Sequence, residues 1–434
     1  MKFFFIVIEA ILLFQSFIVE RLNIKIFSYF DEILILFLGF LFLISTLKRK
    51  TISKVSVKIL ILIVLFSVIG ITSGICNTFN YLDFNYIEAT LLAIKFFLTI
   101  FFVSNIDISI INQRKIIDVT FIFEKIVIIV AIFNFFFFNL YIKIFSNVEI
   151  MYRAGFISVT SIFNHPGVFG WFMLFCMFLN LSIYSCFKTK KNLKWLIIDS
   201  IFAILSMRSK VIVGMIVGLC VYFLVLNEYK NKDKLINIIK KISVVFMIFL
   251  ICIFLFKNTL NKTYELYFTS KHGYSVRQAL ADTSFKIMDD YFPLGVGFGK
   301  YASWYASVNY SEYYYKYGLS NMYGITPDNT TYAQDTYWPS VFGETGFLGT
   351  IVMFLLMFCI FKYILKGVKA KNNSIRQISI FSILILIQTL LESLGSMSFN
   401  TAPQYIFVAI VIGIVLSNNR KNSFVKINED ISKS

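Results

Sequence analysis

Residues 59–75 read ILILIVLFSVIGITSGI, an apolar run without a single charged side chain. A helix of this length is at the lower end of the roughly 17–25 residues that cross about 30 Å of hydrocarbon. Further mainly apolar runs recur along the chain, at residues 116–140, 211–226, 242–256 and 351–365. We therefore expect a protein that crosses a membrane many times, rather than a soluble domain or a protein with a single anchor.

The composition of the chain favours the same class. Of its 434 residues, 58% are hydrophobic and only 15% are charged. A soluble domain normally has about 25% charged residues, which keep its surface hydrated. The formal net charge of +17 does not indicate a nucleic-acid partner, because the basic residues are concentrated in short loops between apolar runs. Basic loops of this kind are retained in the cytoplasm and set the orientation of the helices.

The hydropathy pattern predicts an all-α fold with about twelve transmembrane helices. They are expected near residues 3–19, 33–47, 57–75, 87–104, 116–140, 166–185, 193–207, 210–226, 239–256, 339–365, 376–393 and 401–417. The predicted organisation is a first helical part (1–256), an outer loop (257–338), a second helical part (339–417) and a cytoplasmic tail (418–434). Because every second loop is basic, both termini are expected in the cytoplasm.

The outer loop is the longest polar stretch, and it is rich in aromatic residues rather than in Ser, Glu and Gln. Such a composition predicts a folded segment rather than a disordered one. Ser275-Val-Arg-Gln278 has the pattern of a capping box and precedes apolar residues at helical spacing, so a helix is predicted to begin there.

The aromatic side chains of this loop have two interpretations. They form either an interfacial belt that holds the membrane or a platform on which sugar rings stack. The concentration of Tyr in one outer loop favours sugars. The candidate sugar contacts are Trp304, Tyr305, Tyr314 and Trp338, with His165 at the start of the helix at 166–185. His165 has an alternative role as a helix cap.

Arg208 and Lys210 lie in a turn, Leu205-Ser-Met-Arg208-Ser-Lys210, that is too short to leave the interfacial region. A charge at that depth is costly unless it is paired, so it usually marks a function. The alternative is that these side chains snorkel to lipid head groups. Arg153 and Arg277 are further cations on the same side. Asp199 and Glu392 are acids in apolar runs that either pair with these cations or line a cavity.

Several motifs of soluble enzymes are absent from the chain. There is no GxxxxGK[ST] phosphate loop and no HExxH zinc motif, so the sequence predicts neither ATP hydrolysis nor a metal centre. Gly295-Val-Gly297-Phe-Gly299 lacks the βαβ frame of a dinucleotide site and instead predicts a tight turn. The six cysteines have no CxxC spacing. We therefore expect no cofactor and no metal ion.

Several of these motifs, in this order, resemble the O-antigen polymerase and O-antigen ligase superfamily of bacterial membrane glycosyltransferases. They are Arg153-x-Gly155, Phe163-Asn-His165-Pro166, the turn with Arg208 and Lys210, Arg277, Pro293-Leu-Gly-Val-Gly-Phe-Gly299-Lys-Tyr301 and Glu344-Thr-Gly346. The resemblance covers roughly residues 150–350 and the twelve-helix plan. It implies a GT-C-like fold and an inverting, metal-independent glycosyl transfer from undecaprenyl pyrophosphate, in a bacterial inner membrane.

In that family arginines hold the pyrophosphate, so the resemblance gives this role to Arg208 and Arg277, with Lys210 and Arg153 in support. The chain has Met-Arg-Ser-Lys where ligases favour Ser-Arg, which leaves the choice between Arg208 and Lys210 open. Ligases also have a histidine nine residues before the Glu-x-Gly motif, where this chain has Asp335. This difference favours a polymerase over a ligase. The candidate proton acceptors are, in order, Asp335, Glu344 and His272.

The sequence hypothesis is a polysaccharide polymerase that transfers a growing glycan to the non-reducing end of a lipid-linked repeat unit. Its product would be an O-antigen, a capsule or an exopolysaccharide. Its expected partners are the lipid-linked oligosaccharides and the bilayer, with chain-length regulator and flippase proteins as further candidates. The alternatives are a ligase on the same fold and a flippase for lipid-linked glycans. A flippase predicts short loops and a hydropathy repeat, and the sequence shows neither.

Overall fold

The structure of the protein is a computed structural model. It describes residues 2–49, 52–77, 85–106, 110–145, 150–153, 155–226 and 275–431. In this part of the chain the architecture is helical except for one short antiparallel hairpin, in which β1 (Tyr152–Arg153) pairs with β2 (Phe156–Ile157). The described part of the chain is therefore all-α.

Helices account for most of the described residues. In chain order they are α1 (Lys2–Arg21), α2 (Phe30–Arg49), α3 (Lys54–Asn77), α4 (Asn85–Asn105), α5 (Ile110–Phe136), α6 (Phe138–Ile144), α7 (Pro166–Phe187), α8 (Lys190–Leu205), α9 (Ser209–Val221), α10 (Val276–Asp290), α11 (Trp304–Val308), α12 (Glu312–Lys316), α13 (Tyr337–Val368), α14 (Asn373–Glu392) and α15 (Gln404–Ile431). A short 3-10 turn, Lys25–Tyr29, joins α1 to α2.

Within the described residues, seven helices are long and apolar enough to cross a membrane, namely α1 to α4, α7, α13 and α14. Two shorter apolar helices are Ser209–Leu224 and Gln404–Asn419. These helices define a helical membrane protein. The apolar run at 116–140 is divided between α5 and α6, because Phe137 leaves the helical conformation (φ −120°, ψ 45°). The helix expected at 239–256 lies outside the described residues.

Helix α7 is the central helix, because it packs against α5, α8, α9, α14 and α15. Nearly all of its side chains from Pro166 to Ser182 are buried. A helix that is apolar on every side is stable only where other elements surround it. Trp171 and Phe175 pack against Phe407, and Phe175 also packs against Phe381. This packing fixes the start of α7, where the candidate site begins.

The described part of the outer loop has a hydrophobic core of its own. Helix α10 begins after Ser275, whose hydroxyl accepts the backbone N–H of Gln278 at 3.3 Å. This contact confirms the predicted helix start. Leu280 and Ile287 pack in one buried cluster with Tyr301 and other residues of the segment 296–333. The described loop segment is therefore folded around its own hydrophobic core.

A break in α13 attaches this loop to the helices. Gly346 lies inside α13 with φ +62° and ψ −158°, outside the helical region. The carbonyls of Gly343 and Glu344 accept the backbone N–H groups of Val296 (3.0 Å) and Gly297 (2.8 Å). Because the helix is interrupted, these two carbonyls have no partners in the next helical turn. They are therefore available to the backbone N–H groups of the glycine-rich turn at 295–299.

We expect Gly346→Ala to prevent the glycine-rich turn at 295–299 from packing on α13. A Cβ at residue 346 would collide with the backbone of Leu294, and residue 346 has a positive φ. The left-handed conformation alone costs a non-glycine residue about 1–3 kcal/mol. Gly318→Ala is the matched control, since Gly318 has φ +70° but open space around it. Fluorescence-detected size exclusion should show a monodisperse Gly318→Ala protein and aggregated Gly346→Ala protein. Identical elution and melting of both variants would contradict this account.

Candidate functional site

The first half of the candidate site lies where α7 and α9 begin. Arg208 is the residue that precedes α9, and its guanidinium contacts the imidazole Nε2 of His165. The Nδ1 of His165 accepts the backbone N–H of Gly167 at 2.9 Å and so caps α7. The stem of Lys210 runs past Gly167, where a Cβ would lie 3.6 Å from its Cε. The helix starts therefore hold two cations and one imidazole side by side.

Arg153 reaches the same place from the hairpin. Its Nη1 donates to the carbonyl of Met207 at 3.4 Å. Burial, followed by the charges of Arg208, Lys210 and Arg153, lowers the pKa of His165 to about 3. The imidazole is therefore neutral at physiological pH, and the positive charge of the site comes from the arginines and the lysine.

The second half of the site is contributed by α10 and the segment before α13. Arg277 binds Asp335 through two nitrogens, with Nε at 2.8 Å and Nη2 at 2.5 Å from Oδ2. Both side chains keep about a third of their surface exposed, 36% and 31%. Lys210 interacts electrostatically with both Arg277 and Asp335, as well as with Arg208. The two halves thus form one group of charges.

We call this group the cationic cluster; its members are Arg153, His165, Arg208, Lys210 and Arg277. The structure brings together all four cations that the sequence selected, although they come from three separate places in the chain, namely β1, the start of α9 and the start of α10. Their nearest carboxylates are Asp335 and Glu392, both within electrostatic range of Lys210. Glu392 is fully buried at the end of α14, where it accepts a hydrogen bond from Gln404 at 3.1 Å.

The position of Asp335 is restrained by contacts of the residues that follow it. The backbone N–H of Tyr337 donates to the carbonyl of Ser393 at 3.2 Å. The indole of Trp338 donates to the Ser393 hydroxyl at 2.9 Å. The start of α13 is therefore attached to the end of α14, and Asp335 is held two residues before that attachment.

Glu344 occupies a different environment from Asp335. Its Oε1 accepts the backbone N–H groups of Lys300 (3.0 Å) and Tyr301 (3.1 Å) and the hydroxyl of Ser303 (2.6 Å). The side chain is buried. Because Oε1 is engaged by the loop, we assign Glu344 a role in positioning the loop; its role as a proton acceptor stays a prediction.

We expect Glu344→Ala to destabilise the loop, because it would leave three buried donors without an acceptor. Each buried donor left unsatisfied costs about 1–3 kcal/mol. Glu344→Gln keeps a carbonyl oxygen at the same place and should retain most of the stability. Thermal unfolding in detergent, followed by scanning fluorimetry, should give the order wild type, Glu344→Gln, Glu344→Ala. A melting temperature of Glu344→Ala equal to that of wild type would contradict the positioning role.

The aromatic candidates differ in their accessibility. Trp304 is 46% exposed, whereas Tyr314 is fully buried and its hydroxyl accepts the backbone N–H of Ala302. Tyr305 is 8% exposed, and its hydroxyl donates to Glu88. Trp338 stacks on Phe354 besides binding Ser393. The structure therefore leaves Trp304 as the best-placed ring for a ligand, and Tyr314 and Trp338 serve the packing of the loop. His272 lies outside the described residues.

The sequence did not predict a cavity of about 740 Å³ between the loop and the helices α1, α2, α4 and α13. We call it the loop cavity. Lys95 of α4 lies in its wall and binds Asp31 and Glu32 of α2, each at 2.9 Å. Charges inside apolar helices could have indicated this site, because they are costly in a membrane. Gln334 and Tyr337, on either side of Asp335, also line the cavity.

Asp199 lies on α8, away from the cationic cluster, and its side chain faces α7. It accepts a hydrogen bond from Asn180 at 2.9 Å, and Asn180 also donates to Glu124 of α5 at 2.8 Å. The sequence left open whether Asp199 pairs with the cations, and the structure places it in this separate polar contact. Among the described residues, no three His, Cys, Asp or Glu side chains are grouped as metal ligands.

The fold and the charged residues define a helical membrane protein with a cationic cluster at one end of its helices. No protein-family model matches the chain, and a search of curated proteins found no match. The function therefore has to be argued from the chemistry of the cluster.

Proposed function

We propose that the protein is a polysaccharide polymerase that transfers a growing glycan from undecaprenyl pyrophosphate to the non-reducing end of a lipid-linked repeat unit. The observation that carries this proposal is the convergence of Arg208, Lys210 and Arg277 beside Asp335 at one end of a membrane protein. The resemblance of the motif order to O-antigen polymerases favours the same function.

The cations suit a diphosphate that leaves from a sugar. Guanidinium groups bind phosphate oxygens bidentately and remain charged at any pH of the cell. As the anomeric C–O bond breaks, negative charge develops on the leaving diphosphate. Fixed cations stabilise that charge, and a single preorganised donor is worth about 3–4 kcal/mol in measured cases. In this proposal Arg208 and Arg277 are the principal contacts, and Lys210 and Arg153 assist them.

The acceptor hydroxyl attacks the anomeric carbon of the donor sugar from the face opposite the diphosphate. The new C–O bond forms as the old one breaks, the electron pair leaves with the diphosphate, and the configuration inverts. The hydroxyl proton passes to the Asp335 carboxylate, which acts as the general base. Asp335 binds Arg277 in the structure, so a diphosphate that takes over the Arg277 contact would leave this carboxylate available to the hydroxyl.

The membrane arrangement is part of the same proposal. We propose about twelve spans, both termini in the cytoplasm of a bacterium, and the cationic cluster on the outer face of the inner membrane. No nucleotide sugars are present there, so the donor has to bring its leaving group on a lipid. The outer loop, residues 257–338, would then supply Arg277 and Asp335 from the aqueous side.

The test is reconstitution of the purified protein in vesicles with undecaprenyl-pyrophosphate-linked repeat units, with EDTA present and no nucleotide. We expect a ladder of glycans on the lipid carrier, resolved by gel electrophoresis. Transfer of single repeats to another acceptor only would indicate a ligase. Movement of the substrate across the bilayer without new glycosidic bonds would overturn the enzyme assignment in favour of a flippase.

A further inference from the structure

The loop cavity has the size of a ligand site and lies apart from the cations that would hold a diphosphate. Its volume of about 740 Å³ falls within the range of small-molecule pockets, about 300–1,000 Å³. Its wall combines apolar side chains such as Phe66 and Phe298 with a limited set of polar ones. Neither Arg208 nor Arg277 is part of this wall.

Gln15 is a buried polar residue in the wall of the cavity. This side chain is only 8% exposed and lines the cavity. Its Nε2 donates to the carbonyls of Phe27 (2.9 Å) and Ser28 (3.1 Å) and to Asp31 (3.2 Å), which fixes the orientation of the amide. Its Oε1 has no hydrogen-bond partner among the described residues. A buried acceptor without a partner is unfavourable; this oxygen has almost no accessible surface, so Gln15 adds polarity to the cavity wall rather than a contact for a ligand.

The charges around the cavity determine which ligands it can hold. Glu20, Asp31, Glu32, Glu88 and Glu344 line it, and Lys95 is the cation among its polar side chains. The ammonium of Lys95 is bound by Asp31 and Glu32. The surplus of carboxylates disfavours phosphate and other anions by like-charge repulsion. A ligand rich in hydroxyl groups, neutral or with an amino group, fits this charge.

The rim of the cavity offers an aromatic surface. Trp304 lines the cavity and is 46% exposed, and its ring meets that of Tyr305 edge to face with centroids 4.8 Å apart. Sugar rings stack their C–H faces on such a surface, since it is apolar but borders polar groups. The chemistry of the rim and of the interior therefore agrees on a carbohydrate.

We infer that the loop cavity binds the non-reducing end of the acceptor glycan, while the cationic cluster binds the diphosphate of the donor. This inference rests on the proposed function for the role of the glycan as acceptor. Gln334 and Tyr337 line the cavity, and Asp335 between them binds Arg277 of the cluster. The segment that contains the proposed base, Asp335, thus borders both sites. This position is needed if Asp335 is to take the proton of an acceptor hydroxyl held in the cavity.

The probe is the single repeat unit taken from cells that lack this protein, released from its lipid by mild acid, dephosphorylated and labelled with a fluorophore at its reducing end. Its binding to the purified full-length protein in nanodiscs is measured by fluorescence polarisation. Because the probe has no diphosphate, we expect Arg208→Ala and Arg277→Ala to bind it like wild type. Trp304→Ala should bind it at least about tenfold more weakly, and Trp304→Phe should lose less.

Tyr323→Ala is the matched control, because Tyr323 is a 76% exposed aromatic residue of the same loop segment that does not line the cavity. Size exclusion and thermal unfolding establish that each variant is folded. Unchanged affinity of folded Trp304→Ala, or no binding to wild type, would overturn the carbohydrate pocket. Binding that depends on Trp304 in a protein that makes no polymer would leave the pocket intact and overturn the polymerase.

Discussion

Arg277→Ala and Arg208→Ala are each expected to stop chain elongation and to leave cells with glycans of a single repeat unit. Loss of one preorganised donor to a developing oxyanion reduces turnover by about 10²–10³-fold. Both arginines lie at the start of a helix, Arg208 before α9 and Arg277 in the first turn of α10. Their truncation therefore leaves the apolar packing of the helices unchanged, and the protein should remain in the membrane at its normal level.

The matched control for Arg277→Ala is Lys286→Ala, which removes an exposed cation from the same helix, outside the cluster. Glycan ladders from cells expressing each variant, compared at equal protein level, measure the effect. Lys286→Ala should give the wild-type ladder. Normal ladders from both arginine variants would remove the diphosphate role from the cluster, and with it the central argument for a polymerase.

Asp335→Asn is expected to lower the turnover number by about 10²-fold or more, in the range of general-base catalysis, with little change in the affinity for the donor. The asparagine has nearly the same shape but cannot take up the hydroxyl proton at physiological pH. Rates with purified protein and lipid-linked repeat units, measured over a range of substrate concentrations, separate turnover from binding. A variant that changed only the substrate affinity would indicate that Asp335 merely positions Arg277.

Asp328→Asn is the control for this measurement, because Asp328 is an exposed carboxylate of the same segment. It should behave as wild type. The comparison with His272→Ala identifies the base, since the sequence offered both residues. Full activity of Asp335→Asn together with an inactive His272→Ala would transfer the role of proton acceptor to the histidine.

Much of the helical framework was predictable, because a membrane imposes long apolar runs that a sequence displays directly. The expected segments at 33–47, 57–75 and 376–393 correspond to α2, α3 and α14. The division of the run at 116–140 was not predictable. Phe137 is neither Pro nor Gly and is largely exposed, so no residue type marks its departure from the helical conformation.

The residues of the site were predictable in kind but not in their pairing. Charge at the membrane interface selected Arg208 and Lys210, and the resemblance of the motif order added Arg277. The bond between Arg277 and Asp335 joins residues 58 positions apart, a separation at which local patterns carry no information. The loop contacts of Glu344 were not predictable for a related reason, because its partners at residues 300–303 come from a turn that folds back over α13.

The loop cavity was missed because hydropathy treats α1, α2 and α4 as spans and averages over their few polar side chains. Lys95 was the signal, since a lysine inside an apolar helix needs a partner. Its partners Asp31 and Glu32 are in the first turn of α2, where acids are also expected as favourable neighbours of a helix N-terminus. Because acids at a helix start are ordinary, Asp31 and Glu32 did not by themselves indicate a buried ion pair with Lys95.

The short distance along the chain from Asp335 to Tyr337 has a consequence for how a polymer would grow. Two peptide units separate their Cα atoms by at most about 7.6 Å, whatever is bound on either side. If the glycan chemistry takes place across this segment, the enzyme handles only the sugars next to the new linkage. Each added repeat would then take the same time in a short chain as in a long one, and the final length would be set by how soon the product departs.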